Sequence, residues 1–143
     1  MRKVADIMTA NPATTSPDTP LLDALRLMKQ FSCRQLPVIA EGRLVGILTD
    51  RDVRLAMHSP FVLHERGDDD ALLRNVMAGD CMTADPLTID SDSPAAMAAD
   101  LLRTYKFGAL PVMHDGKLIG IVTITDILRS YVELASAEAE GKK

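Results

Sequence analysis

Tryptophan is absent from this chain of 143 residues, which has only three phenylalanines and two tyrosines, so platforms for stacking nucleic-acid bases are lacking. Its 16 basic and 20 acidic side chains are interspersed and sum to a net charge of −4, with no basic block to form the electropositive footprint of a nucleic-acid binder. No apolar run approaches the roughly 18 residues of a membrane span, and Asp6 interrupts the N-terminus before a signal-like core can form. Cysteine occurs twice, as Cys33 and Cys81, far apart and with no histidine at ligand spacing. That pattern argues against a disulfide framework and predicts a reduced, cytoplasmic setting. Catalytic signatures are also missing: there is no Ser-His-Asp order with an elbow, no Walker loop and no paired-carboxylate context. His58, His64 and His114 read as solvated turn residues, and the aspartates at 68–70 as a solvated loop rather than a Mg²⁺ site. The expectation is a chain that is not an enzyme and has no metal site, nucleic-acid partner or membrane span.

What is present is a composition of 47% hydrophobic and 25% charged residues, the profile of one compact soluble domain. At this length about 70% of the unfolded surface can be buried in a single core. The strongest internal signal is a repeat. An offset of 74 residues aligns positions 6–55 with 80–129 without a gap, about 19 of 50 being identical. Met8-Thr9-Ala10-Asn11-Pro12 returns as Met82-Thr83-Ala84-Asp85-Pro86, Leu36-Pro37-Val38 as Leu110-Pro111-Val112, and Gly46-Ile47-Leu48-Thr49 as Gly120-Ile121-Val122-Thr123. Two copies form a pseudo-symmetric pair, since a solenoid needs at least three.

Each copy predicts strand, helix, strand, strand, helix. Short extended segments at 13–15 and 87–89 precede helices over 21–31 and 95–105, with Thr19 and Ser93 expected as N-caps and Pro20 and Pro94 in the first helical position. These helices are apolar over more than one stripe, which predicts a second packing partner. Glu41-Gly42 and Asp115-Gly116 separate pairs of apolar runs as hairpin turns, and the last run of each copy leads directly into a second helix. The expected organisation is repeat 1 over 1–57, a linker over 58–79 with a short helix capped by Asp70, repeat 2 over 80–135, and a frayed tail over 136–143.

The chemistry concentrates where strand meets helix. Gly46-Ile47-Leu48-Thr49-Asp50-Arg51-Asp52 places a hydroxyl and a carboxylate three residues apart at a helix N-terminus. Helix N–H groups and the dipole attract phosphate, a threonine hydroxyl can donate to it, and an aspartate, an acceptor only, suits a ribose diol. Gly46 would let a ligand approach the backbone. Thr-x-x-Asp is equally a capping box that needs no ligand. Capping accounts for Thr and Asp in both copies, but not for the glycine and the upstream Leu-Pro-Val that recur with them.

These motifs resemble tandem CBS domains, the cystathionine-β-synthase-type repeats whose pair is called a Bateman module, over nearly the whole chain. The resemblance implies an α/β fold of two pseudo-symmetric β-α-β-β-α repeats packed sheet to sheet with helices outside. It also implies clefts that bind AMP, ADP, ATP, S-adenosylmethionine or sometimes NAD as regulatory ligands rather than catalytic cofactors. By the same resemblance Thr49 and Asp52 take phosphate and ribose in one cleft with Arg51, Arg34, Gln35, Met82 and Leu87. Thr123 and Asp126 do so in the other with Thr125, Met8, Ala13, Gly108 and Ala109, and Ala13 and Leu87 sandwich adenine. It further implies a stand-alone sensor that forms a homodimer through its helices and signals to an unidentified regulated protein. A dimerising scaffold with degenerate clefts is the alternative.

Overall fold

The computed structural model describes residues 2–57 and 68–141. His58, His64 and the first part of the expected linker lie outside the described residues. The elements in chain order are α1 (Val4–Ile7), β1 (Thr9–Ala10), α2 (Leu21–Gln30), β2 (Gln35–Ala40), β3 (Arg43–Thr49), α3 (Asp50–Met57) and α4 (Asp68–Asn75). They continue with α5 (Ala78–Cys81), β4 (Thr83–Ala84), β5 (Ile89–Asp90), α6 (Ala95–Tyr105), β6 (Ala109–His114), β7 (Lys117–Thr123) and α7 (Ile124–Gly141).

The chain forms two compact units whose borders do not follow the repeats: Ala13–Pro86 is one, and Met1–Pro12 with Leu87–Lys143 is the other. Each has its own hydrophobic core, where composition alone suggested one. In the first, the antiparallel sheet β2-β3-β4 packs with α2 around Leu21, Ala24, Met28, Leu36, Val38 and Leu48. In the second, the sheet β1-β7-β6-β5 packs with α1 and α6 around Val4, Ile7, Ala98, Leu102, Leu110, Val112 and Val122. The two-residue hairpin turns are as the sequence predicts. Glu41 and Gly42 have φ of 51° and 75°, and Asp115 and Gly116 have 49° and 78°. Positive φ at both central residues is the turn whose twist matches that of the flanking strands.

Three expectations are corrected. Helices α2 and α6 take Pro20 and Pro94 as N-caps, not Thr19 and Ser93, and make no side-chain cap bond. Their first N–H groups instead reach distant carbonyls: Leu21 N–H donates to Val76 O and Ala95 N–H to Arg2 O, each at 2.9 Å. A backbone acceptor thus satisfies a donor that a side-chain cap would otherwise serve. Second, α4 begins at Asp68 rather than behind a cap at Asp70. Third, α7 runs through Ser136 to Gly141, because Ala and Glu in this stretch are strong helix formers that extend an already nucleated helix.

The segments that supply Arg2 and Val76 are the leads of the two repeats, and each is built into the unit formed around the other repeat. Met82-Thr83-Ala84 lies on β3, pairing Ile47 with Thr83 and Gly46 with Ala84; Met8-Thr9-Ala10 lies on β7, pairing Ile121 with Thr9 and Gly120 with Ala10. Asn11 and Asp85 then turn the chain away at φ of 50° and 48°, in the left-handed region that Asn and Asp tolerate. The glycines are required by this approach. A Cβ at Gly46 would collide with the Met82 thioether and stand 2.9 Å from Thr83 O, and one at Gly120 would meet the Met8 thioether and Thr9 O at 3.0 Å. The space that the sequence reading left for a ligand at Gly46 is filled by the protein itself.

Gly46→Ala is therefore expected to destabilise the fold by roughly 1–3 kcal/mol, the usual range for overpacking. Adding Met82→Ala recovers only part of the loss, since the Thr83 carbonyl cannot retract. Urea unfolding of the two variants checks this, and an unchanged midpoint for Gly46→Ala would remove the proposed close approach.

Candidate functional site

In the unit Ala13–Pro86 the site is the junction of β3 and α3. Thr49 N–H donates to Asp52 Oδ2 at 2.9 Å, and Asp52 N–H donates to Thr49 Oγ1 at 3.1 Å. This reciprocal pair is the capping box. The next donor, Asp50 N–H, is taken by Arg34 O at 2.9 Å, while Gln35 pairs across the sheet with Thr49. Arg34, Gln35, Thr49, Arg51 and Asp52 are thereby gathered at one end of the β2–β3 sheet, and Met82 lies against β3 over Gly46. Leu87 falls in the other unit. Arg51 is exposed. Arg54 is paired with Asp50 at 3.9 Å, so the charge of each partly offsets the other.

The same construction recurs where β7 meets α7. Thr123 N–H donates to Asp126 Oδ2 at 2.9 Å, Asp126 N–H to Thr123 Oγ1 at 3.2 Å, and Ile124 N–H to Gly108 O at 3.3 Å. Ala109 pairs with Thr123, Met8 covers Gly120, and Thr125 is exposed. Ala13 belongs to the other unit, where it packs against the core. Two residues that sequence reasoning missed complete this site. Thr9 Oγ1 donates to Asp126 Oδ1 at 3.2 Å, and Arg129 Nη2 donates to the same oxygen at 2.5 Å. Arg129 was legible as an i,i+3 partner of Asp126 on a helix. Thr9 was not, because the contact spans 117 residues.

Capping and ligand binding are compatible in chemical terms. The box uses a lone pair of the threonine oxygen and one carboxylate oxygen. Among the described residues, the hydroxyl proton and, at Asp52, the second carboxylate oxygen have no further partner and suit a phosphate and a ribose hydroxyl. Cys81 lies near this carboxylate: burial pushes its thiol above the ordinary value, and the charges of Asp80 and Asp52 push it the same way. Cys33 is raised by burial, with backbone hydrogen bonds opposing. His114, read from sequence as isolated, receives or donates a hydrogen bond with Ser91 at 3.2 Å and has Asp90 and Asp92 within 4.8 Å. Those groups are exposed and Asp92 is paired with Lys3 at 3.7 Å, the arrangement of a solvated turn.

A sequence profile described as CBS domain matches residues 4–59 and again 78–133. The chain belongs to the CBS domain family. A CBS domain-containing protein of Dictyostelium discoideum is 40% identical over 133 residues, covering 92% of each chain. An inosine-5'-monophosphate dehydrogenase of Korarchaeum cryptofilum is 34% identical over 131 residues, but the match spans only 24% of that protein. Among solved structures, CBSX2 of Arabidopsis thaliana in complex with AMP superposes with a TM-score of 0.79 at 31% identity, covering 94% of this chain and 99% of that one. A CBS domain pair solved with 5'-methylthioadenosine and S-adenosyl-L-methionine superposes with a TM-score of 0.77 at 26% identity, over 91% and 99% of the two chains. The two helix starts described above are those of CBS repeats 1 and 2.

If the Asp52 charge faces the Cys81 thiol, Asp52→Asn lowers the Cys81 pKa, so at pH 8 more thiolate is present and alkylation by iodoacetamide is faster. Cys33, which has no such charge beside it, keeps its rate. Peptide mass spectrometry after timed labelling separates the two cysteines, and an unchanged Cys81 rate would refute the coupling.

Proposed function

We propose that this CBS pair is a cytoplasmic regulatory module that binds adenosine-containing ligands (AMP, ADP, ATP or S-adenosylmethionine) at the starts of α3 and α7 and passes their occupancy to a partner protein. The observation that carries the reading is the Asp52 carboxylate, held by its capping box with one oxygen left over, beside a threonine hydroxyl at a helix N-terminus. That set matches a ribose diol next to a phosphate. The relatives solved with AMP or with S-adenosylmethionine support the ligand class. The role is binding rather than catalysis; ATP hydrolysis by the purified protein, abolished by Asp52→Ala, would overturn that part.

A ligand at about 100 times its dissociation constant should stabilise the protein by roughly 2.7 kcal/mol. Thermal denaturation with AMP, ADP, ATP and S-adenosylmethionine measures this, and mass spectrometry of small molecules released from natively purified protein identifies the occupant. A flat response to all four would overturn the reading and favour the alternative, a dimerising scaffold. Of the two helix starts, the one bearing Arg51 is expected to prefer more phosphorylated ligands than the one bearing Thr125, since only a guanidinium offers a fixed cation with a planar donor fork.

The module is also proposed to form a homodimer, its partner surface being a second copy. The sequence pointed to 21–31 and 95–105, but Leu22, Leu25 and Leu27 of α2 are half-buried against their own core. Exposed apolar side chains lie on α6, where Met97 and Tyr105 are 49% and 56% exposed, and on α7, where Leu128, Tyr131 and Val132 are 60%, 69% and 61% exposed. Beside them lies a shallow groove of about 360 Å³ lined by Ala95, Ala99, Ile127, Tyr131 and Leu134. Contiguous apolar surface of this kind is seldom left in water. Light scattering at micromolar concentration should give a dimer mass, reduced toward the monomer by Leu128→Asp; a monomer mass for the unaltered protein would refute the assembly.

A further inference from the structure

The two carboxylates that the repeat makes equivalent are not in the same state. Asp126 is 2% exposed, and both of its oxygens are engaged: Oδ1 by Arg129 at 2.5 Å and Thr9 at 3.2 Å, Oδ2 by Thr123 N–H at 2.9 Å. Asp52 is half-buried, and among the described residues it accepts the Thr49 N–H alone. The residue corresponding to Arg129 is Leu55, which is 61% exposed.

We propose that Arg129 is a latch on the second site, holding the Asp126 carboxylate closed to a ribose diol so that the two sites fill in order, Asp52 first. The proposal rests on the adenosine-binding reading and names what makes its two sites unequal. A ribose diol offers two O–H donors and needs two acceptor positions. Among the described residues, nothing engages the second Asp52 oxygen. At Asp126 the diol must replace a charge-assisted guanidinium bond, about twice as strong as a neutral one, at a carboxylate largely removed from water. Exchanging such a bond for a neutral hydroxyl weakens binding by about tenfold or more. The Arg129 side chain is itself 55% exposed, so it can turn out to solvent, and the latch can open when ligand is abundant.

The experiment is calorimetric titration of the full chain with adenosine and, separately, with AMP, for the unaltered protein and for Asp52→Ala, Arg129→Leu and Leu55→Arg. Adenosine has no phosphate, so it isolates the carboxylate. The unaltered protein should bind in two events at least about tenfold apart, or with the weaker below detection, and Asp52→Ala should remove the tighter one. Arg129→Leu should tighten the weaker event about tenfold for both ligands. Leu55→Arg, placed on an exposed residue that the fold does not need, should weaken the tighter event by a similar factor through the same i,i+3 geometry.

Adenosine binding unaffected by Leu55→Arg and not improved by Arg129→Leu would overturn the latch while leaving the adenosine reading intact. Arg129→Leu weakening AMP but not adenosine would instead make Arg129 a phosphate ligand, which also overturns it. No binding of either ligand by the unaltered protein would overturn the site reading and the latch together. If Arg129→Leu does not fold, Leu55→Arg decides alone.

Discussion

The close approach of a backbone to Gly46 and Gly120 is the contact on which the rest of this architecture depends. A side chain at either position would collide with a methionine and with a carbonyl that cannot move aside. With hydrogen there, a two-residue strand adds to the sheet edge, and the chain before it is fixed in place. Its carbonyls, Val76 O and Arg2 O, then accept from the first N–H groups of α2 and α6. In the Met1–Pro12 and Leu87–Lys143 unit the same lead brings Val4 and Ile7 into the core and sets Thr9 beside Asp126. One permissive residue thus links sheet, helix cap, core and candidate site within each unit.

The parts of the fold that rest on local chemistry were legible in the sequence. Glu41-Gly42 and Asp115-Gly116 are turns because only a few residue types accept positive φ at two successive positions. Thr49-x-x-Asp52 and Thr123-x-x-Asp126 cap their helices because the spacing fits a reciprocal pair of hydrogen bonds. What was not legible rests on long-range partners. Pro20 and Pro94 cap helices with the help of distant backbone carbonyls, and a carbonyl has no residue type to advertise it. The exchange of lead segments is hidden for a related reason: in a symmetric repeat, Met8-Thr9-Ala10 is as complementary in pattern to its own repeat as to the other. Gly46 was read as room for a ligand because a small residue signals that something approaches, without saying what.

The candidate site was legible in its residue types and less so in their state. Sequence alone offered capping and nucleotide binding as competing accounts of Thr and Asp. At Asp52 the two accounts are chemically compatible, since capping uses the threonine lone pair and one carboxylate oxygen; at Asp126 the other oxygen is taken by Thr9 and Arg129. A helix start built this way is also rigid, because the groups that would meet a ligand are already held by the backbone they cap. Preorganisation of that kind reduces the entropy that a ligand must overcome on binding.

Divergence between the copies then acts on a fixed frame. The capping bonds at Thr49–Asp52 and Thr123–Asp126 agree to within about 0.1 Å, so the two sites share one capping frame and differ most in the side chains around it. Arg51 against Thr125 alters the charge near the helix start, and Leu55 against Arg129 alters what the carboxylate has to give up. The two substitutions act in the same direction. In the proposed reading Arg51 would add attraction for a phosphate where the carboxylate is open, while Arg129 is committed to Asp126 where the position of Arg51 is held by a neutral threonine. Repeat symmetry therefore fixes the position of the functional groups, and its local breaking decides their availability. A pair of sites with one frame and unequal carboxylates can respond to one ligand over a wider concentration range than two identical sites, because the second begins to fill only as the first approaches saturation.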